Sequence, residues 1–544
     1  MIIKGHIADL HGRTVFPGEV VVEDGRIVRI NRTESAPDCY ILPGFVDAHV
    51  HIESSMLTPF WFSRFAAANG TVAVVTDPHE IANVVGEEGI DFMLENRGDI
   101  KTFYTIPSCV PATSFDSAGA VLDAAAVERL AASGRFVALS EVMNVPGVVN
   151  RDPEVMAKIQ SALSRGLPVD GHAPMLHGDE LRRYAAAGIS TDHECSTINE
   201  AKEKIALGMK ILIREGSAAR NYEALSGLIK SNPESVMFCT DDSHPDTLEC
   251  RHIDHIVRQA VSEGYDVFDV LRAASLNPVE HYRLPVGLLR EGDPADFIVV
   301  DNLTDFRIDR TYVGGSKVYD RSEPRPAIEI PANAEEGLPN KFSHDTIAPE
   351  SLALAVKEGQ SVPVIKVYDG ELITGREDYT PQADNARFES DTSKDILKIV
   401  YLNRYENGTP QVALVHGFGL AEGALASSVG HDSHNIVAVG ASDAHLAAAI
   451  NAVIEAKGGL AVATADGADV LPLPIAGIMS PLPGKHVADE YRRICEVAKA
   501  LGTSLKAPFM TLAFMSLVVI PSLKIGERGL FDYEIFNWIN ENQR

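Results

Sequence analysis

The pattern of apolar and polar positions divides the chain into three parts. Near the N terminus, residues 19–28 form two short apolar runs separated by Asp24 and Gly25, a pattern that predicts a β-hairpin. A similar β-rich pattern returns at residues 286–320. We therefore expect residues 1–40 and 286–320, the two flanks of a long middle segment, to build one small β-sandwich domain together.

The middle segment, residues 41–285, alternates strand-like and helix-like stretches. Runs rich in Val and Ile recur about every 20–35 residues, with helix-like stretches between them. Continuous apolar strands that alternate with helices pair in parallel, with helices covering both faces. About eight such units fit a closed (β/α)8 barrel. The alternative is an open doubly wound sheet, which we disfavour because the first βα turn has no Gly-rich phosphate-binding pattern.

The remainder of the chain continues this mixture of strands and helices. Residues 321–345 contain several prolines and predict a linker. Residues 346–544 combine apolar runs such as 399–402 with helix-like stretches such as 444–456. The fold class expected for the whole chain is therefore α/β, with a (β/α)8 barrel, the small β-sandwich domain and an additional C-terminal α/β domain.

Composition and charge narrow the choice of partners and compartment. The 544 residues carry 48 Lys and Arg against 76 Asp and Glu, a formal net charge of −28. Such an acidic surface repels nucleic-acid polymers and anionic membranes, so we expect neither as a partner. No Cys pair has CxxC spacing, no signal peptide is evident, and the longest apolar run, 509–520, is too short to span a bilayer. We expect a cytoplasmic protein.

Candidate metal ligands lie where the predicted barrel strands end. The first apolar run carries a His-x-His pair whose side chains project to the same face of the strand, and the fourth, fifth, sixth and eighth runs each end in an imidazole or a carboxylate. These residues are His49, His51, Glu141, His172, His193 and Asp241. A structural histidine normally needs one polar partner and would not recur at matching positions. Because strand ends meet at one mouth of the barrel, we predict that all six bind metal.

Six ligands exceed the four of a tetrahedral zinc site, so we predict two divalent ions with Glu141 shared between them. The His-x-His pair and Asp241 would hold one ion, while His172 and His193 would hold the other. The nitrogen and oxygen donors fit Mn²⁺, Fe²⁺ or Zn²⁺. A hydroxide bridging the ions would be the nucleophile, and Asp241 would pass its proton to the leaving group.

Several motifs resemble those of a known superfamily and of one family within it. Residues 42–51 resemble the opening signature of the amidohydrolase superfamily, and residues 291–300 resemble the segment where its β domain resumes. More narrowly, the bacterial adenine deaminases have motifs similar to residues 47–56, 76–83, 170–174, 239–242, 431–436 and 521–530. The resemblance covers nearly the whole chain, including a C-terminal domain that most other amidohydrolases lack.

The resemblance to adenine deaminases implies hydrolysis of adenine to hypoxanthine and ammonia, with two Mn²⁺ or Fe²⁺ ions as cofactors. Glu141 and Asp241 would be the catalytic residues. The partner would be a small-molecule purine base, the setting purine salvage or adenine catabolism in the cytoplasm, and the assembly a homo-oligomer, for which we expect a dimer.

Five further residues are candidates for substrate contacts, and one of them is expected to protonate a ring nitrogen. They are Glu53, His79, Glu80, His431 and His434. Each also has a structural interpretation, because an acidic residue can stabilise the first turn of a helix and a histidine can bond a backbone carbonyl. His431 and His434 can reach the barrel mouth only if the C-terminal domain folds over it.

Alternative functions also fit the barrel motifs. One is an amidohydrolase for another nucleobase or for a cyclic amide of the hydantoin or dihydroorotate type. Cyclic-amide hydrolases usually bridge their metals with a modified Lys on the fourth strand, where this chain has Glu141. The other is a non-catalytic scaffold, which we disfavour because scaffolds lose metal ligands and this chain keeps all six.

Overall fold

The structure, a computed structural model, describes residues 1–113, 115–324, 328, 336–381 and 387–539. Within the predicted linker, residues 325–327 and 329–335 lie outside the described residues. The N-terminal flank forms β1 (Ile2–Asp9), β2 (Thr14–Glu23), β3 (Arg26–Arg32) and β4 (Tyr40–Pro43).

Eight consecutive parallel strands form a barrel within the described part of the middle segment. They are β5 (Phe45–His51), β6 (Thr71–Thr76), β7 (Lys101–Pro107), β8 (Ala138–Val142), β9 (Val169–Gly171), β10 (Thr191–Asp192), β11 (Lys210–Arg214) and β12 (Val236–Cys239). Ser190 N donates to Val169 O at 2.8 Å and joins β9 to the start of β10. A short strand, β13 (Asp241–Asp242), pairs with β5 and closes the circle. The predicted (β/α)8 barrel is confirmed.

Helices surround the barrel and leave its strands buried. Every residue of β5 and β6 is buried, as expected for strands covered on both faces. The helices are α1 (Pro59–Ala68), α2 (His79–Val85), α3 (Glu87–Glu95), α4 (Ala124–Ala132), α5 (Val145–Val149), α6 (Pro153–Leu163), α7 (Gly178–Ala186), α8 (Ile198–Ala206), α9 (Tyr222–Leu225), α10 (Gly227–Ser231), α11 (Pro245–Cys250), α12 (Ile253–Ser262), α13 (Val267–Leu271) and α14 (Asn277–Tyr282). Polar caps fix several of their starts, because Asp123, Asp152 and Thr197 accept hydrogen bonds from first-turn amides.

The two flanks of the barrel meet in one sheet. After the barrel come β14 (Phe297–Val300), β15 (Ile308–Val313) and β16 (Ser316–Asp320). The sheet they form with the N-terminal flank has the order β16-β15-β14-β4-β1-β2-β3, and β4 joins the flanks because it pairs with both β1 and β14. It encloses its own apolar core, and Arg26 of β3 bridges to Pro294 just before β14. The expected sandwich is thus a single curled sheet.

The C-terminal region is an α/β unit, as predicted. Its main sheet contains β17 (Val362–Lys366), β18 (Gly375–Tyr379), β19 (Ile396–Leu402), β20 (Gln411–His416), β21 (Ala424–Ser427), β22 (Ile436–Gly440), β23 (Gly459–Thr464) and β24 (Gly467–Pro472), in the order β18-β17-β20-β19-β22-β21-β23-β24. A small sheet of β25 (Leu523–Gly526), β26 (Gly529–Asp532) and β27 (Asn537–Trp538) follows. The helices are α15 (Asp443–Glu455), α16 (Gly484–Ala500) and α17 (Pro508–Ala513). The domain boundaries drawn from the sequence stay a prediction.

The C-terminal region packs directly against the barrel. Helix α16 contacts α1 and α11, and Trp61 Nε1 donates to Pro481 O at 3.0 Å. On the other side of the mouth, Asn435 Nδ2 donates to Ser117 O at 2.7 Å. These contacts bring the loop between β21 and β22 to the ends of the barrel strands. Among the described residues, no helix has the length and apolar composition needed to cross a bilayer.

The buried ammonium of Lys204 connects the segments that follow β9 and β10 at the barrel mouth. Lys204 of α8 is fully buried, and its ammonium donates to Asp192 Oδ2 at 2.9 Å, Glu200 Oε1 at 2.8 Å and Ala173 O at 2.6 Å. Asp192 also accepts from Ala173 N at 2.8 Å. Asp192 precedes His193 and Ala173 follows His172, so this network fixes the positions of both histidines.

Replacing the Lys204 ammonium should therefore destabilise the barrel. In Lys204→Met the carboxylates of Asp192 and Glu200 stay buried without a counter-charge, and we expect a loss of about 3–5 kcal/mol in the free energy of unfolding. Urea denaturation followed by circular dichroism measures the loss. The exposed Lys202 on the same helix provides the control, because Lys202→Met should change stability by only about 0.5 kcal/mol. A loss below about 1 kcal/mol for Lys204→Met would contradict the assignment.

Candidate metal centre

Three of the predicted ligands converge where β5 and β13 end. His49 Nε2 and His51 Nε2 each lie 3.2 Å from Asp241 Oδ1, and the two nitrogens are 3.2 Å apart. Bond lengths of about 2.0–2.2 Å to a shared ion separate neighbouring ligand atoms by about 3.0–3.5 Å. The three side chains are almost fully buried and form one of the groups in the structure that could hold an ion.

Glu141 at the end of β8 connects this group to a second one. Its Oε2 lies 2.8 Å from His193 Nε2 and 3.0 Å from His172 Nδ1. The same carboxylate reaches the first group, with Oε2 3.9 Å from His49 Nε2 and Oε1 3.7 Å from His51 Nε2. The structure thus brings all six predicted residues into one neighbourhood, with Glu141 between the two halves.

Backbone and side-chain contacts orient the first-strand histidines. His51 Nδ1 lies 3.1 Å from Asp77 O, which leaves Nε2 facing the centre. Asp47, on the same strand, accepts hydrogen bonds from Thr240 N at 3.1 Å and Thr240 Oγ1 at 2.5 Å and lies 3.0 Å from His252 Nε2. Asp47 therefore joins the first barrel strand to the last one just before Asp241.

The electrostatics of the centre favour positive charge. Burial alone would lower the pKa of His172, but Glu141 and Glu194 outweigh it and raise that pKa to about 9. Burial would raise the pKa of Glu141 and of Asp241, but the surrounding imidazoles and, at Asp241, the Arg214 guanidinium hold both pKa values well below their usual range. Ionised carboxylates among imidazoles are a donor set that fits divalent cations, which displace protons from such ligands.

Two charged residues at the centre are not among the site residues predicted from the sequence. Glu194 Oε1 lies 3.5 Å from His193 Nε2, and Arg214 Nη1 contacts both Glu194 Oε1 at 2.5 Å and Asp241 Oδ2 at 2.6 Å. Glu194 directly follows a predicted ligand, and Arg214 ends β11, a barrel strand for which the sequence analysis names no candidate. The repeated placement of charged residues at strand ends was the signal that could have found them.

The predicted substrate contacts form a buried layer beside the six residues. Glu80 Oε1 lies 3.5 Å from His431 Nδ1, and Glu80 Oε2 lies 3.8 Å from His434 Nε2. Ser54 Oγ lies 2.8 Å from Glu80 Oε1 and 2.5 Å from Asp242 Oδ1. Histidines of the C-terminal region therefore meet barrel residues, as the sequence analysis required of them.

Glu53 and His79 complete this layer. Glu53 Oε1 accepts from Ile81 N at 3.3 Å near the start of α2, and burial together with the neighbouring Glu80 raises the pKa of Glu53 to about 8. His79 bonds a carboxylate, with Nδ1 3.1 Å from Asp77 Oδ2. The predicted backbone-carbonyl partner for His79 is absent from the hydrogen bonds of the described residues.

A small cavity lies over the centre. Its volume is about 20 Å³, room for about one water molecule and less than a purine needs. Besides the metal-ligand candidates it is lined by His431 and Asp432 and by Leu372, Phe514 and Leu517. Phe514 stacks on His431 with ring centroids 4.4 Å apart, and it also lines an outer crevice of about 800 Å³ between the barrel and the C-terminal region. The C-terminal region thus closes the barrel mouth.

Two family models match the chain. The amidohydrolase family model matches residues 40–318, and the model of the adenine deaminase C-terminal domain matches residues 371–537. The second match coincides with the region that closes the barrel mouth.

Curated proteins named adenine deaminase match over almost the whole chain. The protein of Methanosarcina acetivorans is 54% identical over 98% of both chains, and that of Salinibacter ruber is 50% identical over 99% of this chain and 98% of its own. The protein of Borreliella burgdorferi is 43% identical over 99% of both chains. With both family models and full-length relatives in agreement, the chain belongs to the adenine deaminase family of amidohydrolases.

Proposed function

We propose that the chain hydrolyses adenine to hypoxanthine and ammonia at the six-residue centre. The observation that carries the proposal is the position of Glu141, whose carboxylate lies within 3.9 Å of imidazoles in both halves of the centre. One carboxylate between two groups of imidazoles suits a pair of divalent ions. The names of the curated relatives supply the substrate.

The donor atoms support an assignment of ligands to two ions. We assign His49, His51 and Asp241 to one ion and His172 and His193 to the other. Glu141 would be shared between them. The set contains imidazole and carboxylate but no thiolate and so fits Mn²⁺, Fe²⁺ or Zn²⁺, and the resemblance to adenine deaminases favours Mn²⁺ and Fe²⁺. Divalent ions held there supply Lewis acidity and a water molecule activated as nucleophile.

Asp241 is placed to move the protons of the reaction. The two protons of the water added at C6 of adenine have different destinations: one replaces the proton that a ring nitrogen takes up, and the other goes to the amine, which leaves as ammonia when the C6–N bond breaks. Asp241 accepts the second of these protons and delivers it to the amine. Arg214 Nη1, 2.6 Å from Asp241 Oδ2, fixes the orientation of this carboxylate.

The buried layer beside the centre would bind the base. His79 and His431 line the cavity, so we assign both to contact with the purine and His431 to protonation of a ring nitrogen. Glu53, Glu80 and His434 lie behind them. Glu80, 3.5 Å from His431 Nδ1, would hold that imidazole in place.

An ammonia-release assay tests the reaction and its substrate class. We expect Mn²⁺-loaded protein to release ammonia from adenine and not from guanine or cytosine, and to leave the rings of hydantoin and dihydroorotate closed. Opening of either ring releases no ammonia and is monitored by the appearance of the carbamoyl product; ring opening without any reaction of adenine would contradict the proposal and favour a cyclic-amide hydrolase.

Removal of one histidine of the first barrel strand should lower both the metal content and the rate of ammonia release. We expect His49→Ala to lower the metal content from about two ions per chain to about one or fewer and to abolish ammonia release, because the first ion loses a ligand. Elemental analysis after growth with Mn²⁺ measures the content. His177→Ala is the matched control, because His177 is half exposed and bonds Glu203 away from the centre. Full metal occupancy in His49→Ala would overturn the ligand assignment.

Substitution of Asp241 should lower the catalytic rate more than the metal content. We expect Asp241→Asn to lower kcat by about 10²–10⁴-fold, because the amide cannot carry the proton, while part of the bound metal remains. Rates are normalised to the metal content of each preparation. A normalised rate within about tenfold of the unmodified enzyme would exclude Asp241 as the proton carrier.

A further inference from the structure

Asp432 presents a carboxylate with one oxygen in ion pairs and one oxygen without a partner. Its Oδ1 lies 3.6 Å from His79 Nε2 and 3.9 Å from His431 Nδ1, and the side chain is only 5% exposed. Its Oδ2 is buried and has no hydrogen-bond partner in the described part of the chain. A buried acceptor without a donor costs about 1–3 kcal/mol, more for a charged group, so an ion in this position calls for a ligand that donates to it.

Asp432 Oδ1 belongs to a row of side chains with alternating charge. His79 lies between two carboxylates, with Nδ1 3.1 Å from Asp77 Oδ2 and Nε2 facing Asp432. Burial would raise the pKa of Asp432, but His79 and His431 lower it. Asp432 is therefore an ionised group that can only accept hydrogen bonds.

The unpaired oxygen belongs to a residue of the catalytic cavity. Asp432 lines the same small cavity as Glu141, His193 and Asp241, and it comes from the loop between β21 and β22 of the C-terminal region. The metal-ligand candidates come from the barrel. A substrate in this cavity would therefore contact the reaction centre on the barrel side and Asp432 on the side of the C-terminal region.

We propose that Asp432 determines specificity by accepting a hydrogen bond at Oδ2 from the ring N–H of an unsubstituted purine base. This inference rests on the proposed function. The exocyclic amine of adenine must face the reaction centre in order to leave, and the N–H of the five-membered ring is the donor that remains. Nucleosides and N-alkylated bases lack this hydrogen, so the site selects free bases.

Analogues without the ring N–H test the inference. The probes are 9-methyladenine and an adenine isostere in which sulfur replaces the N9–H group, so that loss of the hydrogen is separated from added bulk. A site that hydrogen-bonds a substrate N–H discriminates strongly against analogues lacking it. We expect kcat/KM for adenine to exceed that for the isostere by about 10³-fold or more.

The variant Asp432→Asn should largely abolish this preference. The cationic His79 fixes the amide oxygen at the Oδ1 position, which leaves the amide NH₂ where Oδ2 was. A donor then faces the donor of adenine, so we expect kcat/KM for adenine to fall about 100-fold or more while the isostere is affected little. The ratio between the two substrates should drop to within about tenfold.

Two control variants separate a change in specificity from a general loss of activity or stability. Asp241→Asn should lower both rates together and keep the ratio between adenine and the isostere. Asp116→Asn changes a half-buried carboxylate, whose Oδ2 accepts from Thr113 Oγ1 at 2.9 Å outside the cavity lining, and it should leave the ratio unchanged. Metal content and thermal unfolding are measured for each variant.

The outcomes distinguish this inference from the proposed function. Absence of ammonia release from adenine by the unmodified protein would refute the proposed function alone, and calorimetric binding of adenine against the isostere would still test Asp432. The inference is overturned if the unmodified protein binds or turns over both with similar efficiency, a result that needs no variant. It is also overturned if folded Asp432→Asn keeps the original preference.

Discussion

Burial of negative charge is the constraint on which the active-site region depends. Glu141 and Asp241 lie almost fully buried at the barrel mouth, where an unpaired carboxylate would be very costly. Each is compensated by imidazoles and, at Asp241, by Arg214. The compensating groups come from several barrel strands, because parallel strands deliver their ends to one place. The barrel topology thus brings these charged side chains together, and the resulting group could hold cations.

The same alternation of charge continues outward into the C-terminal region. Asp77, His79 and Asp432 follow one another, and Glu80 faces His431 and His434. These ion pairs cross from barrel to C-terminal residues, so neither part has a fully compensated surface alone. The contact between the two parts therefore includes ion pairs at the mouth, and beside it α16 packs on α1 and α11, where Arg492 forms an ion pair with Glu249.

Sequence reasoning worked best where the fold repeats a rule. The six metal-ligand candidates could be predicted because each follows an apolar run, and barrel topology then makes distant residues neighbours. Arg214 was missed because a cation beside a cation site contradicts the simplest expectation, and only the structure reveals Glu194 balancing it. The pairing of β4 with both β1 and β14 was equally hidden, since periodicity identifies strands but not their neighbours. The sequence could not predict that Asp432 Oδ2 lacks a hydrogen-bond partner, because this depends on tertiary contacts alone.

The small volume of the cavity over the centre also constrains how a base enters and how its product leaves. With room for about one water molecule, the cavity admits neither a base nor its product until Phe514 and its neighbours shift. Every catalytic cycle must then include an opening and a reclosing of the mouth. Gating motions of this kind commonly occur in microseconds to milliseconds, and product release through them can govern turnover. Substitutions in the covering segment would then alter how fast the enzyme cycles.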